Sequence, residues 1–492
     1  MNPRGRSREL GHLRGVLDER RPHAVFVEGL RGGGKTTLVR HVLHDYRSLY
    51  HLCPPLPDLA QRGALLRRIR AVPSPSAPDV PELGPEADWA TIFSGLLNRI
   101  EAVGAPFVLT LDDAHRLSEA RSRHIPAIVA GLREAARRRI PFHVVLVGPA
   151  GALPTTELRS AVHPERTRDV GQAGAVGGGG DSAHAGIGSA TVKVGPLPFR
   201  AAAPRLPGRR PLEKLRAYGI FGGIPRVLAH VDASLGVDTN VRRLLLAPEG
   251  ALADAGARWL EVDLQAPSRY YAILSALSFG EADWGTVHDG VPDLTRSGQV
   301  GPYLKRLEEL GLVEARRSLD ASPGGRDRRY AITDPFLAFW FRFLLPRGVH
   351  VKDAPEGAGG DRWTRRIRPR VEGHLGTTFP RICRQHMEYD AIETLGYAAR
   401  ESGSLWGSDH DLPVAGILTS GTPYYGLARW ARRDDETPFH TIDRAMRETR
   451  YGFGRQLRLR LLFTPRPVST AVRRQAARRD DAEIIDAEAL LG

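Results

Sequence analysis

The chain has 492 residues, room for three or four domains at about 100–200 residues each. It carries 70 Lys+Arg against 56 Asp+Glu, so its formal charge is +14, which favours an anionic partner, nucleic acid first. Two cysteines, Cys53 and Cys383, speak against a disulfide framework and for a reducing, cytoplasmic setting, and no stretch approaches the ~20 apolar residues of a membrane span. Only five of the cationic residues are lysine, so an arginine-favouring coding bias is the competing explanation of the charge. The opening MNPRGRSREL has no apolar signal segment, and the longest apolar run, FLAFWFRFLL at 336–345, is short and contains Arg342.

Taken in order, residues 1–20 place Leu10, Leu13, Val16 and Leu17 at helical spacing. His23–Glu28 reads as a buried parallel strand, because Ala24, Val25, Phe26 and Val27 are continuous. A helix over Thr36–Tyr46, a strand over Ser48–Cys53 and a helix over Asp88–Val103 follow. Phe107–Leu111 is another buried strand, closing on Asp112 and Asp113; Ile125–Arg138 is a helix and Phe142–Val147 a further strand. The segment GQAGAVGGGG marks a flexible glycine-rich insertion at about 168–190, after which Thr191–Val194 resumes as strand. Strands alternating with helices predict an α/β fold with a mostly parallel sheet, assigned to a core over 1–205.

Residues 206–265 read as a helical lid interrupted by the loop GGIP. Within 266–348, helices over Ser268–Phe279, Asp283–Asp289 and Gly298–Leu310 precede a hairpin, LVEARR and RRYAI around SPGGRD, the pattern of a winged helix-turn-helix. A linker is expected at 349–362 and a last α/β domain over 363–492, with strands near 412–419 and 457–463.

Within VFVEGLRGGGKTTL, Gly29, Lys35 and Thr36 satisfy G-x-x-x-x-G-K-[ST], between a strand and a helix as that phosphate-binding loop requires. Gly32, Gly33 and Gly34 leave backbone N–H groups free to wrap a phosphate, and the helix N-terminus beginning near Thr36 and Thr37 adds its positive dipole end. Lys35 is expected to reach the β/γ-phosphates and the Thr36 hydroxyl to meet Mg²⁺. FVLTLDDAH supplies the partner: Asp112 suits a direct or water-mediated Mg²⁺ contact, and Asp113 is the residue expected to orient the attacking water. Asp113 is one methylene shorter than a glutamate, and the next strand ends VVLVGPAG without a polar side chain near the γ-phosphate, so slow hydrolysis is expected.

This pattern resembles the STAND-like branch of AAA+ ATPases, archaeal-type and bacterial, in which a P-loop core precedes a winged helix and a restriction-endonuclease-like domain. RGRSRELGHL at 4–13 resembles the family's G-R-x-x-E-L element beside the adenine, VGPLPF at 194–199 its strand before the lid, and YAITDPFLAFWFRFLLP at 330–346 its segment after the wing. GGIPRVL at 222–228 resembles the G-G-x-P lid motif, which would put Pro225 on the adenine and Arg226 toward the phosphates. Adenine over guanine follows from this resemblance.

A winged helix would present Arg296, Ser297 and Gln299 to bases, with Lys305, Arg306, Arg316, Arg317, Arg326, Arg328 and Arg329 suited to phosphates of double-stranded DNA. Such folds in this ATPase class also serve as lids or protein contacts. In the restriction-like domain Asp411 and Glu372 fall where metal-binding acids are expected. Laid against the family's G-E-x-K-W, however, YYGLARW keeps Gly426 and Trp430 but has Leu427 for the glutamate and Arg429 for the lysine, so no nuclease activity is expected. The expectation is an ATP- and Mg²⁺-dependent switch acting on DNA, with a homo-oligomer as a further state and no membrane partner. Two alternatives stay open: an ATP-gated nuclease with Glu401 or Asp409 replacing the missing acid, and a protein scaffold that uses nucleotide without binding DNA.

Overall fold

A computed structural model describes residues 5–72, 87–101, 105–119, 124–162, 186–258, 268–291, 299–322, 327–345, 362–431, 437–455 and 457–492. The chain forms two compact units, Met1–Gly195 and Pro196–Gly492.

The first unit is built on five strands, β1 (His23–Gly29), β2 (Arg47–Leu52), β3 (Phe107–Asp112), β4 (Phe142–Pro149) and β5 (Gly188–Val194). All pair in parallel, in the order β2-β3-β4-β1-β5. Alternation along β1 explains why both faces are covered: Val25 and Val27 enter one apolar cluster with Leu38, Val39 and Val42, while Ala24 and Phe26 enter the other with Phe93, Leu96 and Leu132. The first face is closed by helices α1 (Ser7–Leu17) and α2 (Lys35–Leu43); the second by α3 (Asp58–Arg70), α4 (Trp89–Ile100), α5 (His115–Glu119) and α6 (His124–Arg137). The parallel sheet with helices on both faces is the α/β fold the sequence pattern predicts, and the glycine loop between β1 and α2 gives it the form of a P-loop NTPase core.

Two boundaries differ from expectation. Strand β5 starts at Gly188, inside the expected glycine-rich insertion; Gly188 lies opposite His23 in register, where any Cβ would strike the imidazole. The core ends at Gly195 rather than near 205: Leu197 donates its backbone N–H to Gly223 O at 2.8 Å, within the second unit. Most of the expected insertion and linker, with Arg296, Ser297 and Arg326, lies outside the described residues.

The second unit holds two further sheets. Strands β6 (Ala282–Asp283), β7 (Val313–Arg316) and β8 (Arg329–Ile332) form an antiparallel sheet ordered β6-β8-β7, following and interleaving with helices Ser268–Leu277, Trp284–Asp289 and Val300–Glu309. Strands β9 (Ala399–Trp406), β10 (Asp411–Leu418), β11 (Pro423–Ala428), β12 (Leu459–Phe463) and β13 (Ala482–Ile485) form a mixed sheet, antiparallel from β9 to β11 and parallel from β11 to β13. The helix Arg368–Tyr389 buries Val371, Leu375, Phe379, Ile382 and Met387 along one stripe. The expected hairpin corresponds to β7 and β8; of the mixed sheet, the sequence pattern locates β10 and β12 alone.

Candidate nucleotide-binding site

The loop after β1 is shaped by contacts that only glycine permits. A Cβ on Gly29 would drive into the Val194 carbonyl, and Gly32 and Gly34 sit at φ 74° and 91°, a region strained for other residues. Gly33 donates its N–H to Leu30 O at 3.1 Å, closing the turn, and Gly34 stands as the residue before α2. Lys35 spans the loop, its ammonium donating to Gly29 O at 2.9 Å and Leu30 O at 2.8 Å. Thr36 is half-buried and Thr37 exposed at the first turn.

Beside this loop, β3 delivers a carboxylate. Asp112 is 3% exposed, and its Oδ2 accepts from the Thr36 hydroxyl at 2.7 Å and from the Tyr50 hydroxyl at 2.5 Å. Its Oδ1 accepts from the Asp113 N–H at 2.9 Å. Burial, and then the bond to Asp112, push the Tyr50 phenol up to about 12, so it stays a donor at neutral pH. The Arg40 guanidinium lies over the Tyr50 ring, 4.5 Å from its centre. Two sequence-predicted metal contacts, Thr36 and Asp112, thus meet directly, and their hard oxygen donors suit a small divalent cation shared with phosphates and water.

Asp113 has φ 55°, an uncommon conformation for a residue with a side chain, and its carboxylate pairs with Arg116 at 3.1 Å. Strand β4 lies between β1 and β3, and Gly148 at its end faces Leu153, which any Cβ would crowd. The end of β4, where the sequence offers no polar side chain, is therefore packed against Leu153.

Two contributors escaped the sequence reading. Arg6 is 4% exposed; its guanidinium donates to Gly33 O at 3.0 Å and to Gly195 O at 2.5 Å, and pairs with Glu9 at 2.7 Å. Its signal was the RGRSREL element, which the sequence reading placed only near the base. Tyr50 needed the β2–β3 register, which sets Leu52 opposite Asp112.

Residues 2–147 match the model of the AAA ATPase domain. That stretch is therefore similar to AAA ATPase domains, and it lies within the first unit. An uncharacterized protein of Methanocaldococcus jannaschii is 21% identical over 417 residues, 83% of each chain. A Walker-type ATPase of Pyrococcus abyssi is 18% identical with a TM-score of 0.46, covering 68% of this chain and 95% of that one. The ORC2 protein of Aeropyrum pernix is 14% identical with a TM-score of 0.36, covering 68% and 89%.

In the second unit the segments resembling the lid and the post-wing motif meet. Asp334 accepts from the Gly223 N–H at 2.8 Å and the Phe336 N–H at 2.9 Å, and a Cβ on Gly222, at φ 61°, would collide with its carboxylate. Burial raises Asp334 to about 6 against the opposing backbone bonds. Pro225 is half-buried and Arg226 exposed on the short helix Pro225–Leu228.

Several residues expected on DNA or metal turn out to be engaged within this unit. Arg316 pairs with Glu281 and donates to Ser404 Oγ at 2.7 Å; burial pulls it down to about 10, still cationic at neutral pH. Arg384 pairs with the same Glu281 at 2.6 Å, and Arg381 with Glu314 at 2.6 Å. Burial alone would raise Glu281, but Arg384, Arg316 and Arg381 hold it at about 2. The adjoining cavity, about 30 Å³ and lined by Glu281, Arg381 and Arg384, has room for little more than a water. Arg329 pairs with Asp411 at 2.8 Å and stacks over Trp406 at 4.7 Å. Glu372 pairs with Arg216 at 2.9 Å and Arg466 at 2.8 Å and accepts from Trp430 Nε1 at 2.8 Å. These two acids are thus each neutralised by arginine, and among the described residues no group of three or more His, Cys, Asp or Glu could hold a metal. Gln299, Lys305 and Arg317 are exposed and Arg328 half-buried. No helix among the described residues is long and apolar enough to cross a membrane.

Proposed function

We propose that this protein is an ATP-dependent switch: ATP·Mg²⁺ binding at the loop 29–36 biases the second unit between states that differ in affinity for double-stranded DNA, and slow hydrolysis resets it. The observation that carries the reading is the meeting of Thr36 Oγ1 and Asp112 Oδ2 at 2.7 Å, beside a loop whose glycines adopt φ 74° and 91°. Gly29, Gly32, Gly33 and Gly34 would wrap the phosphates, Lys35 would contact the β/γ oxygens, and Thr36 with Asp112 would hold Mg²⁺. The bound cation would supply charge neutralisation at those phosphates. Asp113 would orient water once its carboxylate leaves Arg116, and that competing pair, with Gly148 in place of a polar sensor, supports slow turnover. Pro225 and Arg226 would contact adenine and phosphate, and the helices and hairpin over 266–348 would act as a winged helix, with Gln299, Lys305, Arg317 and Arg328 toward DNA.

A ligand shifts such an equilibrium only through different affinities for its two states. The test is duplex binding by fluorescence anisotropy with and without ATP, on native protein and Lys35→Ala. Native affinity should change with ATP and Lys35→Ala should not respond; equal affinity in all four conditions sinks the switch. The engagement of Arg316 and Arg329 favours one second reading, a nucleotide-dependent protein scaffold, which expects no salt-sensitive DNA binding at all.

A further inference from the structure

The glycine loop lies against the end of strand β5, and one buried side chain fastens the two. A Cβ on Gly29 would come within 2.0 Å of Val194 O, and one on Gly33 within 3.4 Å of the same atom. Arg6, 4% exposed, crosses this seam. Its Nη2 has two hydrogens and gives both to main-chain carbonyls: Gly33 O in the loop at 3.0 Å, and Gly195 O just past β5 at 2.5 Å. Its Nη1 donates to Glu9 Oε1 at 2.7 Å, within the first turn of α1. That carboxylate neutralises the buried cation and fixes the plane of the guanidinium.

A trans peptide is planar, with its C=O and N–H pointing in opposite directions. Holding the Gly33 carbonyl toward Arg6 therefore turns the Gly34 N–H away from it. Neither Gly33 nor Gly34 has a Cβ, so the peptide between them rotates at little cost unless something holds it. Arg6 supplies the restraint that the two glycines lack. Gly34, at φ 91°, is the residue from which α2 starts, so this peptide sits at the point where loop becomes helix.

We propose that Arg6 is a positioning residue for the phosphates: it holds the Gly33–Gly34 peptide in the orientation that presents the Gly34 N–H to a phosphate oxygen, and makes no contact of its own to the ligand. The inference rests on the reading of loop 29–36 as a nucleotide site. It gives Arg6 no part in base choice, whereas the resemblance of RGRSREL to an element beside the adenine would place it there. Donors already aligned need no reordering when the anion arrives. A loop without the restraint must order that peptide at each binding event, so loss of Arg6 weakens any polyphosphate ligand, with or without a base.

The test is competition of ATP and of tripolyphosphate, which has no base, against a fluorescent ADP analogue on the full chain with Mg²⁺. Arg6→Ala should weaken both competitors by the same factor, roughly tenfold for one misaligned phosphate hydrogen bond. Arg6→Lys keeps the charge but replaces the planar fork with a single nitrogen, and should stay weak. Full recovery by lysine would mean that charge alone acts, and overturns the inference. So does native affinity for both competitors in Arg6→Ala. Weaker ATP with tripolyphosphate unchanged makes Arg6 a base contact and also overturns it, as does native protein that binds ATP but no tripolyphosphate. Arg6→Ala removes a buried cation, so a melting curve is read in parallel. If that variant does not fold, Glu9→Gln carries the test, because it keeps Arg6 but loosens the far end of its fork. A loss of about threefold for both competitors then supports the inference, and unchanged affinity overturns it. Native protein that binds neither competitor removes the nucleotide reading itself.

Discussion

Two buried carboxylates, one in each unit, receive similar hydrogen bonds to different ends. Asp112 accepts from two hydroxyls and one backbone N–H, and both hydroxyl donors stand beside the glycine loop. Asp334 accepts from two backbone N–H groups, Gly223 and Phe336, and thereby ties a loop to the start of a helix. Side-chain hydroxyls can exchange their partner for a cation without undoing the chain, whereas backbone donors cannot leave without disturbing the fold. The same division runs through the cations: Lys35 lies across a loop, while Arg316, Arg381 and Arg384 are enclosed with Glu281 and Glu314. Residue type alone therefore does not separate a ligand site from a structural joint; the identity of the bonded partner does.

The largest effect that would sharpen this contrast lies in the second unit. Glu281→Ala leaves Arg316 and Arg384 without their shared carboxylate, and should cost about 3–5 kcal/mol in urea unfolding of that unit with little change at the nucleotide loop. An unchanged midpoint would mean the cluster contributes nothing structural. Lys35→Ala should act in reverse: nucleotide affinity falls about 10- to 100-fold for a lost charged contact of ~1.5–3 kcal/mol, with the melting temperature nearly unmoved. Isothermal titration with ATP and a parallel melt decide it.

Asp334→Asn probes the pH side. Its folded carboxyl titrates near 6, above the ordinary carboxylate range, so the folded state binds its proton first. The second unit should therefore gain stability from this group as pH falls from about 6 toward 4, and lose it as pH rises through 6. Hydrogen exchange at the Gly223 and Phe336 amides should show that dependence in native protein and not in the variant. The smallest effect belongs to Tyr50→Phe, which removes one of three donors to Asp112 and should cost about 1 kcal/mol in the first unit while altering the Mg²⁺ dependence of nucleotide binding.

Much of the first unit was legible because its signals are local. The run Ala24–Val27 must be buried on both sides, the glycines 32 and 34 must supply positive φ, and a strand ending at Asp112 must deliver a carboxylate at its C-terminal end. The second unit was less readable for the opposite reason. Whether Arg316 faces water or Glu281, and whether Glu372 meets a metal or two arginines, depends on partners 35 to 156 residues away, which no periodicity encodes. Asp334 belonged to a recognised segment, yet its role as the acceptor for Gly223 needed the two segments brought together.

By itself, then, the order of residues determined the phosphate loop, the apolar strands and the likeness to AAA+ ATPases, since backbone freedom and alternation act over a few positions. Only the tertiary structure decided which charges are available to a partner. Burial and long-range pairing choose between an arginine that grips a carboxylate inside and one that stands in water, and the same side chain satisfies either.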